Sequence, residues 1–283
     1  MKLIRIMMGV AAATMLMVAG STTAEAQKIL VVYYSQTSTT KAVAEEIATR
    51  LHADIEEIVP MTPYNGDYNA TIERSKKERE MGVVPEVKPM KSNIAKYDVI
   101  FLGYPIWFGT YAPPFAGFLN RVDLSWKKVV PFCTFGSGGL ESSVKDLAAK
   151  QPKAEILEGY GVRAARIKAM PAEVDQFLKA GGFIEGAYIK LPEFSKPHKP
   201  TDAEVAIFDG AVKNYRMIDA KAIEVSTRSI PYGIEYLFTA VDMHTVSNLN
   251  LSRSEITASS GVTMKIYVTV ANGELPVFTK VVR

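Results

Sequence analysis

Three segments of the chain, residues 28–34 (Lys-Ile-Leu-Val-Val-Tyr-Tyr), 97–103 (Tyr-Asp-Val-Ile-Phe-Leu-Gly) and 128–133 (Lys-Val-Val-Pro-Phe-Cys), are apolar at consecutive rather than alternating positions. A strand of that kind must be covered on both faces, and the cover available to a parallel sheet is the set of helices that connect its strands. Between the first two segments, Val43, Ala44, Ile47, Ala48 and Leu51 recur at the spacing of one helical face. Weaker strands are expected over 54–59 and 154–162, and further helices over 69–80, 114–121, 140–150 and 171–180. Five strands with intervening helices predict an α/β fold with a five-stranded, doubly wound parallel sheet.

That rhythm stops near residue 182. Residues 191–200 carry Pro192, Pro197 and Pro200, the composition of a semi-rigid extended linker. After it come one helix, 201–213, opened by Thr201 with Glu204 three positions on, and four strand segments, 220–225, 233–241, 262–270 and 275–282. Asn272-Gly273 marks a turn between the last two. A helix followed by antiparallel strands is an α+β order, so a second, small domain is expected. At the other end, Lys2 and Arg5 precede the nearly unbroken apolar run 6–20, and Ala24-Glu25-Ala26 is a small-x-small cleavage site. Residues 1–26 therefore read as a secretory signal peptide, with a mature chain from Gln27 that is periplasmic or secreted. The run is too short for a spanning helix, so no stable membrane anchor is expected. The organisation expected is thus a signal at 1–26, an α/β domain at 27–184, a linker at 185–200 and an α+β domain at 201–283.

Charge and cysteine content narrow the chemistry. Lys plus Arg exceeds Asp plus Glu by only 33 − 30 = 3, too little for a nucleic-acid binder. The single cysteine, Cys133, excludes an intrachain disulfide, and His52, His198 and His244 lack the spacing of metal ligands. Ser137 does not stand in a G-x-S-x-G motif, and neither base nor acid can be placed beside it for hydrolysis.

Three strand-end segments carry what remains. Ser35, Gln36, Thr37, Ser38, Thr39 and Thr40 place five hydroxyl residues in six positions at a helix N-terminus, a cradle for a phosphate held by neutral donors. Capping the helix needs one such residue and leaves the others unexplained. After the next central strand, the segment 103–114 sets Tyr104, Trp107, Phe108 and Tyr111 on a Gly/Pro-punctuated loop, a platform for a planar ring. After the fourth strand, Thr134-Phe135-Gly136-Ser137-Gly138-Gly139 lets the backbone approach a ligand closely. None of the three is a dinucleotide or nucleoside-triphosphate signature.

Taken together in this order, the hydroxyl-rich loop, Tyr-Pro-Ile-Trp-Phe-Gly at 104–109 and Pro-Phe-Cys-Thr-Phe-Gly-Ser-Gly-Gly at 131–139 resemble the flavodoxin family, in particular its short-chain flavodoxin-like redox proteins, over residues 28–182. The resemblance implies the strand order 2-1-3-4-5 and FMN as cofactor. It implies that Ser35, Gln36, Thr37, Ser38, Thr39 and Thr40 hold the FMN phosphate. It further implies that Pro105, Ile106, Trp107, Phe108 and Gly109 lie on one side of the flavin ring, and Thr134, Phe135, Gly136, Ser137 and Gly138 on the other. Tyr64 and Tyr68 resemble a cofactor-proximal stretch of the closer relatives. Relatives often have glycine where this chain has Ser38, which restricts the backbone there. The flavin does the redox chemistry, so no catalytic acid or base is named. A neutral cradle and apolar walls would disfavour an anionic reduced flavin and give a low potential.

The function implied is an exported electron-transfer flavoprotein with a protein, quinone-like or flavin-like redox partner. It is either an electron carrier or an FMN-dependent oxidoreductase of the NAD(P)H:quinone or flavin reductase type, and a homo-oligomer is compatible with both. The rival is a cofactor-free adaptor on a degenerate flavodoxin fold, because the general export route delivers an unfolded chain that must acquire FMN outside the cytoplasm. The C-terminal segment resembles the cystatin-like fold only loosely, and its Ile230-Pro-Tyr-Gly233 does not match the inhibitory Q-x-V-x-G pattern. Its expected role is docking or capping of the redox partner.

Overall fold

The computed structural model describes residues 27–65, 67–213, 215, 218–231, 233–246 and 251–282, so the expected signal segment lies outside the described residues. Strands β1 (Ile29–Tyr33), β2 (Asp54–Glu57), β3 (Val99–Trp107), β4 (Thr110–Tyr111), β5 (Lys128–Phe135), β6 (Glu155–Ile156) and β7 (Tyr160–Arg163) form the first sheet. Its parallel path runs β2-β1-β3-β5-β6, with β7 also on β5 and the short β4 antiparallel to the end of β3. With β4 set aside and β6 and β7 taken as one broken strand, this is the doubly wound order 2-1-3-4-5. The break has a local cause. Val129 accepts from Leu157 N at 2.8 Å, so Pro131, two residues on, faces the same neighbour without an N–H to give.

Consecutive apolarity in β1 divides between two cores. Val31 and Tyr33 pack with Val43, Ala44 and Ile47 of α1 (Thr39–Leu51) and with Val174 and Leu178 of α5 (Met170–Ala180). Leu30 and Val32 pack on the opposite face, with Phe115, Phe118 and Leu119 of α3 (Pro113–Leu119) and Leu147 of α4 (Leu140–Lys150). Helix α2 (Tyr68–Glu80) lies beside α3 and is capped by Asp67, whose carboxylate accepts from Ala70 N at 2.9 Å. Cys133 is fully buried, and burial pushes its thiol pKa far up, so it stays protonated and serves as core.

The chain from 195 to 198 runs antiparallel to β8 (Ala220–Ile230): Ser195 N donates to Thr227 O at 2.8 Å and His198 N to Val225 O at 3.0 Å. Helix α6 (Asp202–Val212) starts in a capping box formed by Thr201 and Glu204. Together β8, β9 (Gly233–Asp242), β10 (Thr263–Ala271) and β11 (Val277–Val282) form a four-stranded antiparallel sheet in the order β11-β10-β9-β8. Phe208, Ala211 and Val212 of α6 close one face of it over Val225, Phe238, Ile266 and Phe278. The turn at Asn272-Gly273 is present, with Gly273 at φ 79°, but five residues separate β10 from β11 rather than two. Among the described residues no helix is long and apolar enough to cross a membrane.

Candidate functional site

The three segments singled out in the sequence meet at the C-terminal ends of β1, β3 and β5, beside the point where the strand order reverses between β1 and β3. Ser38, the N-cap of α1, sits in the left-handed region at φ 62° and makes no side-chain capping bond. The first-turn N–H groups of α1 therefore keep donors that the helix itself does not use. The Ser35 hydroxyl is buried with no hydrogen-bond partner. Thr37 and Thr39 hydroxyls lie 3.4 Å apart toward solvent, whereas Thr40 turns inward and meets the Thr134 hydroxyl at 2.7 Å, joining the first loop to the third. Gln36 accepts from the Tyr34 hydroxyl at 2.7 Å and donates to Tyr64 O at 2.8 Å. A pocket of about 230 Å3 opens there, bounded by Ser35, Gln36, Ile58, Pro60 and Tyr64.

The second segment is not a loop. β3 continues through Tyr104, Pro105, Ile106 and Trp107, turns tightly at Phe108-Gly109 and returns as β4. Both turn residues have positive φ, 51° and 82°, the two-residue geometry that suits strand twist. Because the strand persists, Tyr104 (fully buried) and Tyr111 (5% exposed) belong to the core and not to a ring platform. That corrects the expectation of four aromatics on an exposed platform: only Trp107 and Phe108 remain outside the core. Trp107 is half-buried, edge-on to Tyr34 and Tyr64, with centroids at 6.1 and 5.5 Å; Phe108 is 43% exposed. Ser142 donates to Gly109 O at 2.7 Å, and Arg79 to Phe108 O at 3.4 Å.

In the third segment Thr134 and Phe135 are buried, Gly136 is exposed, and Ser137, Gly138 and Gly139 are half-buried. Gly139, at φ 115°, lies so close to the second segment that a Cβ would sit 2.6 Å from Ile106 Cγ2. Tyr64 is buried beneath the Arg74 guanidinium, 3.8 Å from its ring centroid, and its hydroxyl donates to Glu78; burial first, then Glu78, raise its pKa and keep it a neutral donor. Tyr68 opens α2 and is 77% exposed. Sequence reading missed Ser142, Arg79, Arg74 and Glu78, which hold the turn and Tyr64 from the helices behind. Only the i,i+4 pairing of Arg74 with Glu78 was visible as a signal, and it marks helical surface rather than a site.

An α/β chain with hydroxyl-rich, aromatic and glycine-rich strand ends at one switch point has the architecture of the doubly wound class. The family model for flavodoxin matches residues 28–173, just over half of the chain, and the chain belongs to the flavodoxin family. No curated protein matches the sequence. Among solved structures, a Bacteroides eggerthii protein assigned as a flavoprotein is 35% identical, with 53% of this chain and 96% of that one covered, at a TM-score of 0.46. A flavoprotein in complex with FMN from Lactobacillus acidophilus is 22% identical, over 53% and 98% of the two chains, at a TM-score of 0.45.

Proposed function

We propose that this chain is an exported FMN-binding redox protein that passes electrons between a donor and a quinone, flavin or protein acceptor. Export is supported by the composition of residues 1–26, and FMN by family membership together with the fit of the residues at the three strand ends. The observation that carries the reading is the buried, unpartnered Ser35 hydroxyl beside an α1 N-terminus whose N-cap makes no capping bond. A buried polar group without a partner costs about 1–3 kcal/mol, and a phosphate at this place accepts both the hydroxyl and the first-turn N–H groups. FMN, when bound, supplies the one- and two-electron chemistry. The chain's own work is to hold and shield it. Ser35, Thr37, Ser38 and Thr39 present neutral donors to the phosphate, and Thr40 and Thr134 brace the cradle from within. Trp107 and Phe108 offer apolar faces, and Ser142 keeps the Gly109 carbonyl turned toward α4.

Ser35→Ala separates this reading from a cofactor-free adaptor. The variant should leave the apoprotein as stable as the parent or slightly more so, since it deletes an unsatisfied hydroxyl, yet weaken FMN binding by roughly 10- to 100-fold, the loss of a hydrogen bond to a charged group. Titration of refolded protein by flavin fluorescence quenching reads the affinity, and thermal melting reads the stability. An unchanged dissociation constant, or a parent protein that binds no FMN at all, sinks the proposal.

A further inference from the structure

The third strand-end segment is held from behind by the C-terminal domain. β11 is an edge strand of its sheet, and its outer side is closed by residues 137 and 138: Val281 N donates to Ser137 O at 2.7 Å, and a Cβ at Gly138 would lie 2.4 Å from Val281 O. Lys280 pairs with Glu141 at 2.8 Å. At the centre of this contact is Arg163, the last residue of β7, only 4% exposed. Its Nε donates to Gly136 O at 2.8 Å, and its two terminal nitrogens donate to Phe278 O and to the Tyr215 hydroxyl. The guanidinium carbon lies 4.7 and 4.8 Å from the Tyr215 and Phe278 ring centroids. All of these acceptors are neutral, and among the described residues no carboxylate pairs with Arg163.

A buried guanidinium without a counter-charge is costly and rare, because desolvation is not repaid by an opposite charge. Aromatic faces and carbonyl dipoles offset part of that cost while leaving the net charge in place. That charge stands one peptide group behind Gly136, in a surrounding of low dielectric where its field is weakly screened. We propose that Arg163 is a positioning residue through which the C-terminal domain fixes the 136–139 segment, and that its uncompensated charge favours the reduced, anionic form of the bound flavin. This rests on the FMN reading above. Oxidised FMN that takes up two electrons and one proton gains one negative charge, so a fixed positive charge nearby stabilises product over reactant. The low potential expected from a neutral cradle is thereby raised, and the second domain becomes part of the redox site.

The test uses the full mature chain with Arg163→Gln and Arg163→Lys, reduced stepwise by dithionite as electron donor. Arg163→Gln should lose affinity for reduced FMN about tenfold more than for oxidised FMN, a fall of about 30 mV in the two-electron midpoint potential. Arg163→Lys, which keeps the charge and loses the fork, should hold the potential while amide exchange at residues 136–139 accelerates. Equal losses for both redox forms with an unchanged potential in Arg163→Gln overturn the proposal. Should that variant fail to fold, Tyr215→Glu, which sets a carboxylate beside the guanidinium, must lower the potential in the same direction, and no change overturns the proposal equally. If the parent binds no FMN, the function reading fails by itself. The clamp is then judged by amide exchange in cofactor-free Arg163→Gln, where unaltered protection of 136–139 refutes it.

Discussion

Ser38 is a residue whose backbone works against its side chain. At φ 62° a side chain other than glycine is strained, and Ser38 makes no capping bond that would offset it. Serine is expected to restrict the chain here, yet the backbone takes the left-handed conformation that glycine would adopt freely. Such residues persist where the surrounding structure over-determines them, commonly beside ligands. Ser38→Gly should raise the melting free energy by about 0.5–1 kcal/mol, measured by denaturant titration of the apoprotein. A lower stability would mean that the Ser38 side chain has a role in the apoprotein that its contacts do not reveal. Phe108 repeats the pattern at φ 51°, placing an exposed aromatic on the outside of a tight turn.

Between elements, the informative contacts are those where backbone meets backbone. Gly138, at φ 153°, tolerates no side chain, because the carbonyl of Val281 in β11 occupies the place of a Cβ. Gly138→Ala should therefore cost about 1–3 kcal/mol, read as a lower melting temperature, and should accelerate amide exchange at Val281 and Ser137 together. If only the mutated segment loosened while Val281 stayed protected, the two elements would not be coupled. The three consecutive-apolar strands, the helical face of α1 and the capping box of α6 were all legible in the sequence, since each rests on local periodicity or on a three-residue spacing. The continuation of β3 through Trp107 was not. Gly103, Pro105 and Gly109 punctuate that stretch as they would a loop, and only pairing with β4 and β5 keeps it extended.

At the scale of the molecule, acid should find the folded state through carboxylates held by hydrogen bonds. Burial pushes the Glu56 carboxyl up, but Ser92 and the Lys91 and Ser92 amides more than offset it and leave its pKa below the usual value. Glu204 is likewise lowered, with burial opposed by the Thr201 amide and hydroxyl and by His198. Groups depressed in the folded state contribute stability that is full above their unfolded pKa, near 4.3, and lost as pH falls through the folded value. The melting temperature should hold above about pH 5.5 and decline below about pH 4.5, and Glu56→Gln should flatten part of that decline. A profile that is level to pH 3 would contradict the assignment.

The amino-acid sequence by itself determined the class of the first domain, the order of its elements and the membership of its strand-end segments, because burial on two faces, helical period and hydroxyl clustering are local patterns. It also carried the α+β order of the second domain, for the same reason. Only the tertiary structure decided which of those side chains face the site. Tyr104 and Tyr111 go inward with a strand that persists, Thr40 turns to Thr134, and Ser35 is left buried without a partner. It alone brings Arg163 behind Gly136 and sets β11, more than a hundred residues further along the chain, against them both, since a contact between a strand end and a distant edge strand leaves no periodicity to read.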